Sequence, residues 1–274
     1  MVKRYVKQIY DTALRPEMRI LPGHLAFFLI LSIFPLFTLI GVICSKFDIF
    51  SSVFVYLGDV LPTNILDILL PFMTDKNVSG NFIFFMFLGF IIASNGTFSI
   101  ITVSDEIYDI PYDNYIKRRV KAFLMIFILL ILFLFLFVVL AYGNMIVDFL
   151  VNLDFLVNFK DKIYLFFMIL KWPVAFLVIF LLIKGIYTIA PSLKIPSKYM
   201  NKGALFSTFF FILFTYCYSF YVSHFANYDV FYGSISNIIV LMIWIYALSY
   251  ILTMGIAINS NNYLNSKENL GHNS

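Results

Sequence analysis

The chain has 274 residues, of which 62% are hydrophobic and 12% are charged. A soluble domain of this size is usually about 45–50% apolar and about 25% charged, so this sequence lacks the polar surface that would cover a water-facing globule. The composition excludes an ordinary soluble enzyme, a disordered protein and a disulfide-rich secreted domain. It predicts an all-α, polytopic membrane protein, and the net charge of +4 indicates asymmetry between loops rather than nucleic-acid binding.

Six apolar segments are long enough to cross about 30 Å of hydrocarbon as helices. They lie near 25–45, 81–103, 122–143, 164–187, 203–224 and 234–258. The sequence therefore predicts a six-helix transmembrane domain over 23–259. A basic amphipathic segment is expected at 1–22, and a disordered cytoplasmic tail rich in Asn and Ser at 260–274.

Two outer segments, about 46–80 and 145–162, mix apolar runs with acidic and amide side chains and predict short amphipathic helices on the outer leaflet. The basic N-terminal segment has two interpretations. It lies as an amphipathic helix on the anionic inner leaflet, or it is a solvated tail that only fixes topology.

The distribution of Lys and Arg predicts the orientation of the chain. The N-terminus, the second and fourth loops and the C-terminal tail hold fourteen of these residues, and the opposite side holds five. Because Lys and Arg are retained on the cytoplasmic side, both termini are expected in the cytoplasm. Some of these basic residues are also candidates for contact with lipid headgroups: Arg15, Arg19, Lys117, Arg118 and Arg119.

Polar side chains recur along one face of several predicted spans. In the second span, Asn95, Ser99, Thr102 and Glu106 fall on one helix face, and the fifth and sixth spans carry similar stripes. These stripes either hydrogen-bond neighbouring helices or line a shared hydrophilic cavity. The candidates for lining a substrate cavity are Ser32, Pro35, Asn95, Ser99, Thr102, Glu106, Lys171, Thr215, Ser219, Tyr232, Tyr246 and Tyr250.

Two of these candidates have alternative interpretations. Pro35 frees the carbonyl of Leu31, which either lines a cavity or only accompanies a kink. Lys171 either extends outward to the interface or points inward, where it would bind an anionic group.

The sequence predicts no metal site, no cofactor and no catalytic constellation. Glu106 and Asp109 can share a helical face, but no histidine is in register with them. A Walker loop, a nucleophile elbow and a zinc-protease helix are all missing.

Several blocks, taken together in chain order, resemble a known family. AFFLILSIFPLF contains Ser32 and Pro35, and IYTIAPS followed by NKGALFS contains Tyr187 and Gly203. The longest block, NYDVFYGSISNIIVLMIWIYALSYILTMGIAIN, ends at Asn259, and DEIYDIPYDNYIKRR is similar more loosely. From about residue 20 to 260 the chain resembles the YihY/BrkB family of bacterial inner-membrane proteins, formerly labelled ribonuclease BN.

The resemblance implies six spans in the bacterial plasma membrane with both termini inside, and a transporter or exporter of an envelope lipid or other amphiphile. The ribonuclease label has no support in these residues, because nucleic-acid hydrolysis needs acid–base groups or metals at an aqueous site. We expect membrane lipids and an anionic amphiphilic substrate as partners, and no nucleic acid. The alternatives are a non-transporting scaffold in envelope biogenesis and, third, a lipid-modifying membrane enzyme using Glu106 and Asp109. The oligomeric state is not predicted.

Overall fold

The protein is all-helical wherever the structure describes it. The computed structural model describes residues 10–46, 82–111, 114–127, 160–224 and 233–271, and no strand occurs among them. The helices are α1 (Glu17–Lys46), α2 (Phe82–Ile107), α3 (115–127), α4 (Lys160–Ile189), α5 (Asn201–His224) and α6 (Ser236–Gly271). Short 3-10 helices, Ser197–Met200 and Gly233–Ile235, precede α5 and α6. The predicted all-α class is confirmed.

Three stretches of the described helices are long and apolar enough to cross a membrane. They are Phe87–Ile107, Ser197–Val222 and Ile238–Lys267, and Pro173–Ile189 is a shorter apolar stretch. The three long stretches coincide with the second, fifth and sixth predicted spans. The count of six spans stays a prediction, because most of the third span and nearly all of both predicted amphipathic outer segments lie outside the described residues.

Helix α6 organises the packing of the described helices. It packs against α1 and α5 and also contacts α2, while α1 packs along α2 and α5 packs against α4. The largest buried cluster among the described residues draws on all of these helices except the C-terminal half of α5, and includes Leu25, Ile101, Tyr187 and Ile256. The C-terminal half of α5 exposes aromatic side chains such as Tyr216 and Phe220, as expected of a helix that faces lipid.

The C-terminal segment corrects one expectation. Disorder is predicted from residue 260, but α6 continues to Gly271. The amide and hydroxyl side chains that suggest a solvated tail instead bind neighbouring segments. Asn261 Nδ2 donates to Thr12 Oγ1 over 3.1 Å, and Ser260 Oγ donates to the carbonyl of Ile107 over 3.2 Å. These bonds dock the first part of the segment and keep it helical.

The N-terminal boundary also differs from the expected one. The predicted division between residues 22 and 23 falls inside α1, which begins at Glu17 and passes through Pro22. Before α1, residues 10–13 form one helical turn, in which Thr12 is buried and contacts Asn261. Residues 1–9 lie outside the described part, so the choice between an amphipathic helix and a basic tail stays open there.

Two glycines allow α4, α5 and α6 to cross closely. A Cβ atom at Gly203 of α5 would overlap the carbonyl oxygen of Gly255 on α6. A Cβ atom at Gly255 would overlap the hydroxyls of Ser207 and Tyr187. Those two hydroxyls lie 2.6 Å apart, and Tyr187 also donates to the carbonyl of Leu252 over 2.9 Å. Small residues therefore permit a hydrogen-bonded contact between three helices.

We predict that Gly203→Ala and Gly255→Ala each destabilise the protein by about 1–3 kcal/mol, because the added methyl groups force the helices apart. The matched control is Gly185→Ala in α4, where a Cβ atom meets nothing within 4 Å. That variant should be neutral or stabilising by up to about 1 kcal/mol, since Ala favours helix over Gly. Thermal unfolding in detergent measures all three, and equal losses would contradict the close crossing.

Candidate functional site

One end of the bundle, here called the basic end, gathers segments that are far apart in the sequence. It comprises Arg15, the α2–α3 connection, the turn after α4 and the part of α6 around Asn261. Arg15 donates to Asn261, and Asp105 near the end of α2 accepts from the backbone N–H of Ser192 over 2.7 Å. The four segments predicted to share one membrane side therefore meet at one end of the bundle.

The C-terminus of α2 turns sharply and positions this end. Asp109 adopts a φ of 50°, and the N–H of Ile110 donates to the carbonyl of Asp105 over 2.9 Å. This arrangement is the usual way in which a left-handed residue ends a helix. It reverses the chain, so that α3 returns beside α2, where Thr97 Oγ1 donates to the carbonyl of Ala122 over 2.9 Å.

A buried ion pair occupies the basic end. Arg118 Nε lies 3.2 Å from Asp105 Oδ2, and the two residues are 6% and 1% exposed. The hydroxyl of Ser192 also donates to Asp105 Oδ2 over 2.7 Å. Arg118 Nη2 donates to Thr102 Oγ1 over 2.9 Å. These contacts to one buried carboxylate join α2, α3 and the turn after α4.

Lys121 adds a second link between α3 and the turn after α4. Its ammonium group donates to the carbonyl of Pro191. Burial lowers the pKa of Lys121, an effect that the Asp105 carboxylate opposes and the Arg118 guanidinium reinforces. The turn is thus held by hydrogen bonds from two successive segments of the chain.

Arg119 points in a different direction from Arg118. Its Nη1 donates to Asn95 Oδ1 over 2.8 Å and its Nη2 to the carbonyl of Ile91 over 3.2 Å. The guanidinium lies 5.6 Å from the ring centre of Phe98 and 5.5 Å from that of Phe123. Asn95 and Ile91 precede the end of α2 by three to four turns, so Arg119 extends inward along the helix.

The remaining polar residues of α2 have different partners. Ser99 Oγ lies 3.1 Å from His24 Nδ1 on α1, and Glu106 is exposed. Ser32 of α1 donates to the carbonyl of Phe28 over 2.6 Å and accepts from the N–H of Gly96 over 2.8 Å. Part of the predicted stripe therefore joins α1 to α2.

The candidates on the other helices lie apart from this group. Thr215 on α5 accepts from Trp244 Nε1 over 3.3 Å, and Ser219 and Tyr246 are exposed. Tyr250 packs beside the small buried cluster of Met18, Met254 and Ile258. Pro35 lies half-buried within α1. Tyr232 and the side chain of Lys171 lie outside the described residues.

The structure separates the candidates for headgroup contact into two groups. Arg19 and Lys117 are exposed, as such a role requires. Arg118 is instead buried with Asp105, Arg119 points inward, and Arg15 binds Asn261. The reason is that each of these three arginines has a polar partner within the protein, which the position of a residue in a basic loop does not reveal.

Sequence reasoning missed Asp105, Ser192 and His24 as site residues. Asp105 lies three residues after Thr102, on nearly the same helix face, which was an available signal. Its partner Ser192 is 87 residues away and carries no local signal. Among the described residues, no group of three or more His, Cys, Asp or Glu side chains comes together as a metal site.

Comparison with known proteins identifies the family to which this chain belongs. The family model described as Virulence factor BrkB matches residues 10–273. The chain is 28% identical over 265 residues to the Putative ribonuclease-like protein YfkH of Bacillus subtilis (strain 168), covering 93% of this chain and 94% of that protein. It is 26% identical over 240 residues to a UPF0761 membrane protein of Vibrio campbellii, covering 85% and 74%. No solved structure matches the chain.

We predict that Asp105→Asn destabilises the protein by about 3–5 kcal/mol, because it leaves the Arg118 guanidinium buried without a counter-charge. The control, Glu106→Gln, removes a charge at an exposed position, where polar contacts contribute little, and should cost less than about 1 kcal/mol. In the double variant Asp105→Asn, Arg118→Gln, the losses should be less than additive. Additive losses, measured by thermal unfolding in detergent, would show that the ion pair does not hold this end together.

Proposed function

Because the chain belongs to the Virulence factor BrkB family of membrane proteins, we propose that it transports an envelope lipid or another amphiphile across the bacterial plasma membrane. In this proposal both termini and the basic end face the cytoplasm. The headgroup of the cargo moves along the boundary between α2 and α3, while its acyl chains stay in the bilayer.

The observation that carries this proposal is the hydrogen bond between Arg119 and Asn95. Asn95 lies twelve residues before Ile107, which corresponds to about 18 Å from the end of α2 along the helix axis. A charged group at that depth of an apolar helix is costly and usually marks the path of a substrate or ion. Arg119 thus places a charged group well inside the predicted second span.

The surroundings of the Arg119–Asn95 contact suit an amphiphile. Ile92 on α2 and Val120 and Leu124 on α3, the two helices that Asn95 and Arg119 belong to, are exposed, with 43%, 52% and 60% of their surface accessible. Apolar side chains turned outward are compatible with acyl chains, and the guanidinium and amide groups are compatible with a headgroup. A cargo with both parts fits this boundary better than a wholly polar solute does.

The contacts at the basic end support the orientation in this proposal. Arg15 binds Asn261, and Asp105 binds both Arg118 and Ser192, so the N-terminal turn, α6 and the two connections lie on one side. These same segments carry most of the Lys and Arg residues of the chain, which favours the cytoplasm.

A second candidate function is a scaffold that binds partners without moving a substrate. The hydroxyls of Ser249 and Thr253 donate to the carbonyls four residues before them in α6, each over 2.8 Å. Hydroxyl groups that are satisfied within their own helix serve packing and do not need a cavity. This observation favours the scaffold for the α6 stripe, while Arg119 favours transport for the α2 stripe.

The other two activities receive less support. We extend no nuclease activity to this chain from the printed name of the Bacillus subtilis relative, because the buried Asp105 is held by Arg118 and Ser192 instead of facing an aqueous site. A lipid-modifying enzyme would use Glu106 and Asp109. Both residues are exposed, which does not favour a catalytic role for them.

Transport can be tested in liposomes that contain the purified protein and a fluorescent anionic phospholipid. We expect wild type to exchange the lipid between leaflets faster than empty liposomes, and Arg119→Gln to lower that rate about tenfold, as expected for losing a hydrogen bond from a charged group. Lys267→Gln removes the same charge at an exposed position and should keep the wild-type rate. Wild-type rates equal to those of empty liposomes would favour the scaffold.

The orientation gives a separate prediction. In a variant with Cys44→Ser and Cys217→Ser, we expect Lys267→Cys to react with a membrane-impermeant maleimide only after spheroplasts are opened. Lys160→Cys, at the start of α4, should react in intact spheroplasts, because it lies on the predicted outer side. Reaction of both positions, or of Lys267→Cys alone, in intact spheroplasts would contradict cytoplasmic termini.

A further inference from the structure

Arg119 and Arg118 are neighbours in the sequence but differ in how their charges are balanced. Arg118 is paired with Asp105. Arg119 contacts an amide oxygen, a backbone carbonyl and two aromatic rings, and within the described part of the chain no carboxylate lies at ion-pair distance from it. No described residue therefore neutralises the charge of Arg119.

The guanidinium of Arg119 is held in place and still has donors to offer. It carries five N–H groups, and two of them are used by Asn95 and Ile91. The rings of Phe98 and Phe123 lie within cation–π distance and restrict its movement. Since Arg119 is only half-buried, its remaining N–H groups are accessible to a ligand.

The inward direction of the Arg119 side chain is unusual for an arginine near the end of a membrane helix. An arginine near the end of a membrane helix usually extends toward the headgroups, where water and phosphate stabilise its charge. Arg119 extends the other way, and neutral hydrogen-bond acceptors compensate only part of the cost of removing its charge from water. An anionic ligand that enters between α2 and α3 would supply the missing compensation.

We propose that Arg119 and Asn95 form a binding site for the phosphate of a net-anionic amphiphile. The planar guanidinium offers parallel N–H groups that match two phosphate oxygens. Asn95 Oδ1 accepts from Arg119, so the amide group of Asn95 lies at the guanidinium, where its N–H groups add further donors. The proposal rests on the proposed function in that it names the headgroup of the cargo, but binding is measurable without transport.

The surface beside the site favours a lipid over free phosphate. Ile92 on α2, near Asn95 in the sequence, and Val120 and Leu124 on α3, near Arg119 in the sequence, are apolar and exposed. An inorganic ion would gain nothing from them, whereas the acyl chains of a lipid would cover them. We therefore assign the site to a phosphate that is attached to an apolar chain.

The site can be tested by native mass spectrometry of the full-length protein. The protein is released from mixed micelles that contain equal amounts of phosphatidylglycerol and phosphatidylcholine. Wild type should retain phosphatidylglycerol about tenfold more than phosphatidylcholine, as expected for one charge-assisted contact. Arg119→Gln should bring this ratio close to unity, and Lys267→Gln should leave it unchanged. No preference in wild type, or an unchanged preference in Arg119→Gln, would overturn the site.

Asn95→Asp provides a sharper test, because it places a carboxylate where the ligand would bind and keeps the shape of the side chain. The new carboxylate should pair with Arg119, raise the melting temperature and abolish the phosphatidylglycerol preference. A structural role for Arg119 predicts the same stabilisation with no change in lipid preference, and that result would overturn the site. This variant also decides the question where Arg119→Gln fails to fold.

Two further experiments distinguish a lipid phosphate from free phosphate, and binding from transport. Inorganic phosphate added to phosphatidylcholine micelles should not raise the melting temperature of wild type, whereas phosphatidylglycerol should. Stabilisation by inorganic phosphate alone would replace the lipid site with an ion site. If the Arg119-dependent preference is present but lipid exchange in liposomes is not accelerated, binding stands and transport fails; the reverse result leaves transport and removes the site.

Discussion

An ion pair between Asp105 and Arg118 is the contact on which the basic end depends. The pair joins the end of α2 to α3, and Ser192 ties both to the turn that leads from α4 toward α5. In an apolar bundle such a pair gives little net stability, since desolvation offsets most of the attraction. It does fix geometry, because any other arrangement of these segments would leave one buried charge unpaired. The position of α3 along α2, and so the reach of Arg119, follows from it.

Close packing of α4, α5 and α6 complements this ion pair by a different physical means. Glycine at positions 203 and 255 brings the backbones together, and the N–H of Gly203 donates to Asn259 Oδ1 over 2.8 Å. The basic end is therefore held by charge, and the crossing of α4, α5 and α6 by small residues and hydroxyl groups. The C-terminal half of α5 exposes several aromatic residues and is joined to α6 by hydrogen bonds from Tyr218 to the carbonyl of Val240 and from Trp244 to Thr215.

The sequence predicted those features that depend on composition and local spacing. Apolar runs located the helices, and the lysine and arginine asymmetry grouped the segments that do meet at the basic end. Features that depend on distant partners were not predictable. The disorder expected from residue 260 was wrong because Asn261 and Ser260 find partners at Thr12 and Ile107, far away in the sequence. Ser192 was not predicted as a site residue for the same reason, because its partner Asp105 is far away in the sequence. The spacing that grouped Asn95 with Ser99 was correct as helix geometry, but it did not show that the two side chains face different helices.

The contrast between Arg118 and Arg119 shows how far a basic cluster can be interpreted from its sequence. Both residues belong to one run of positive charge, and for topology they are equivalent. On α3 they differ by about 100° in direction. Arg118 therefore meets Asp105 and closes the basic end, whereas Arg119 meets Asn95 along the face of α2. The charge of Arg118 is paired with Asp105 within the fold. Among the described residues, the charge of Arg119 is held by neutral groups, and Ile92, Val120 and Leu124 on the same two helices are apolar and exposed. These two observations favour an anion with an apolar chain as the ligand of the proposed site.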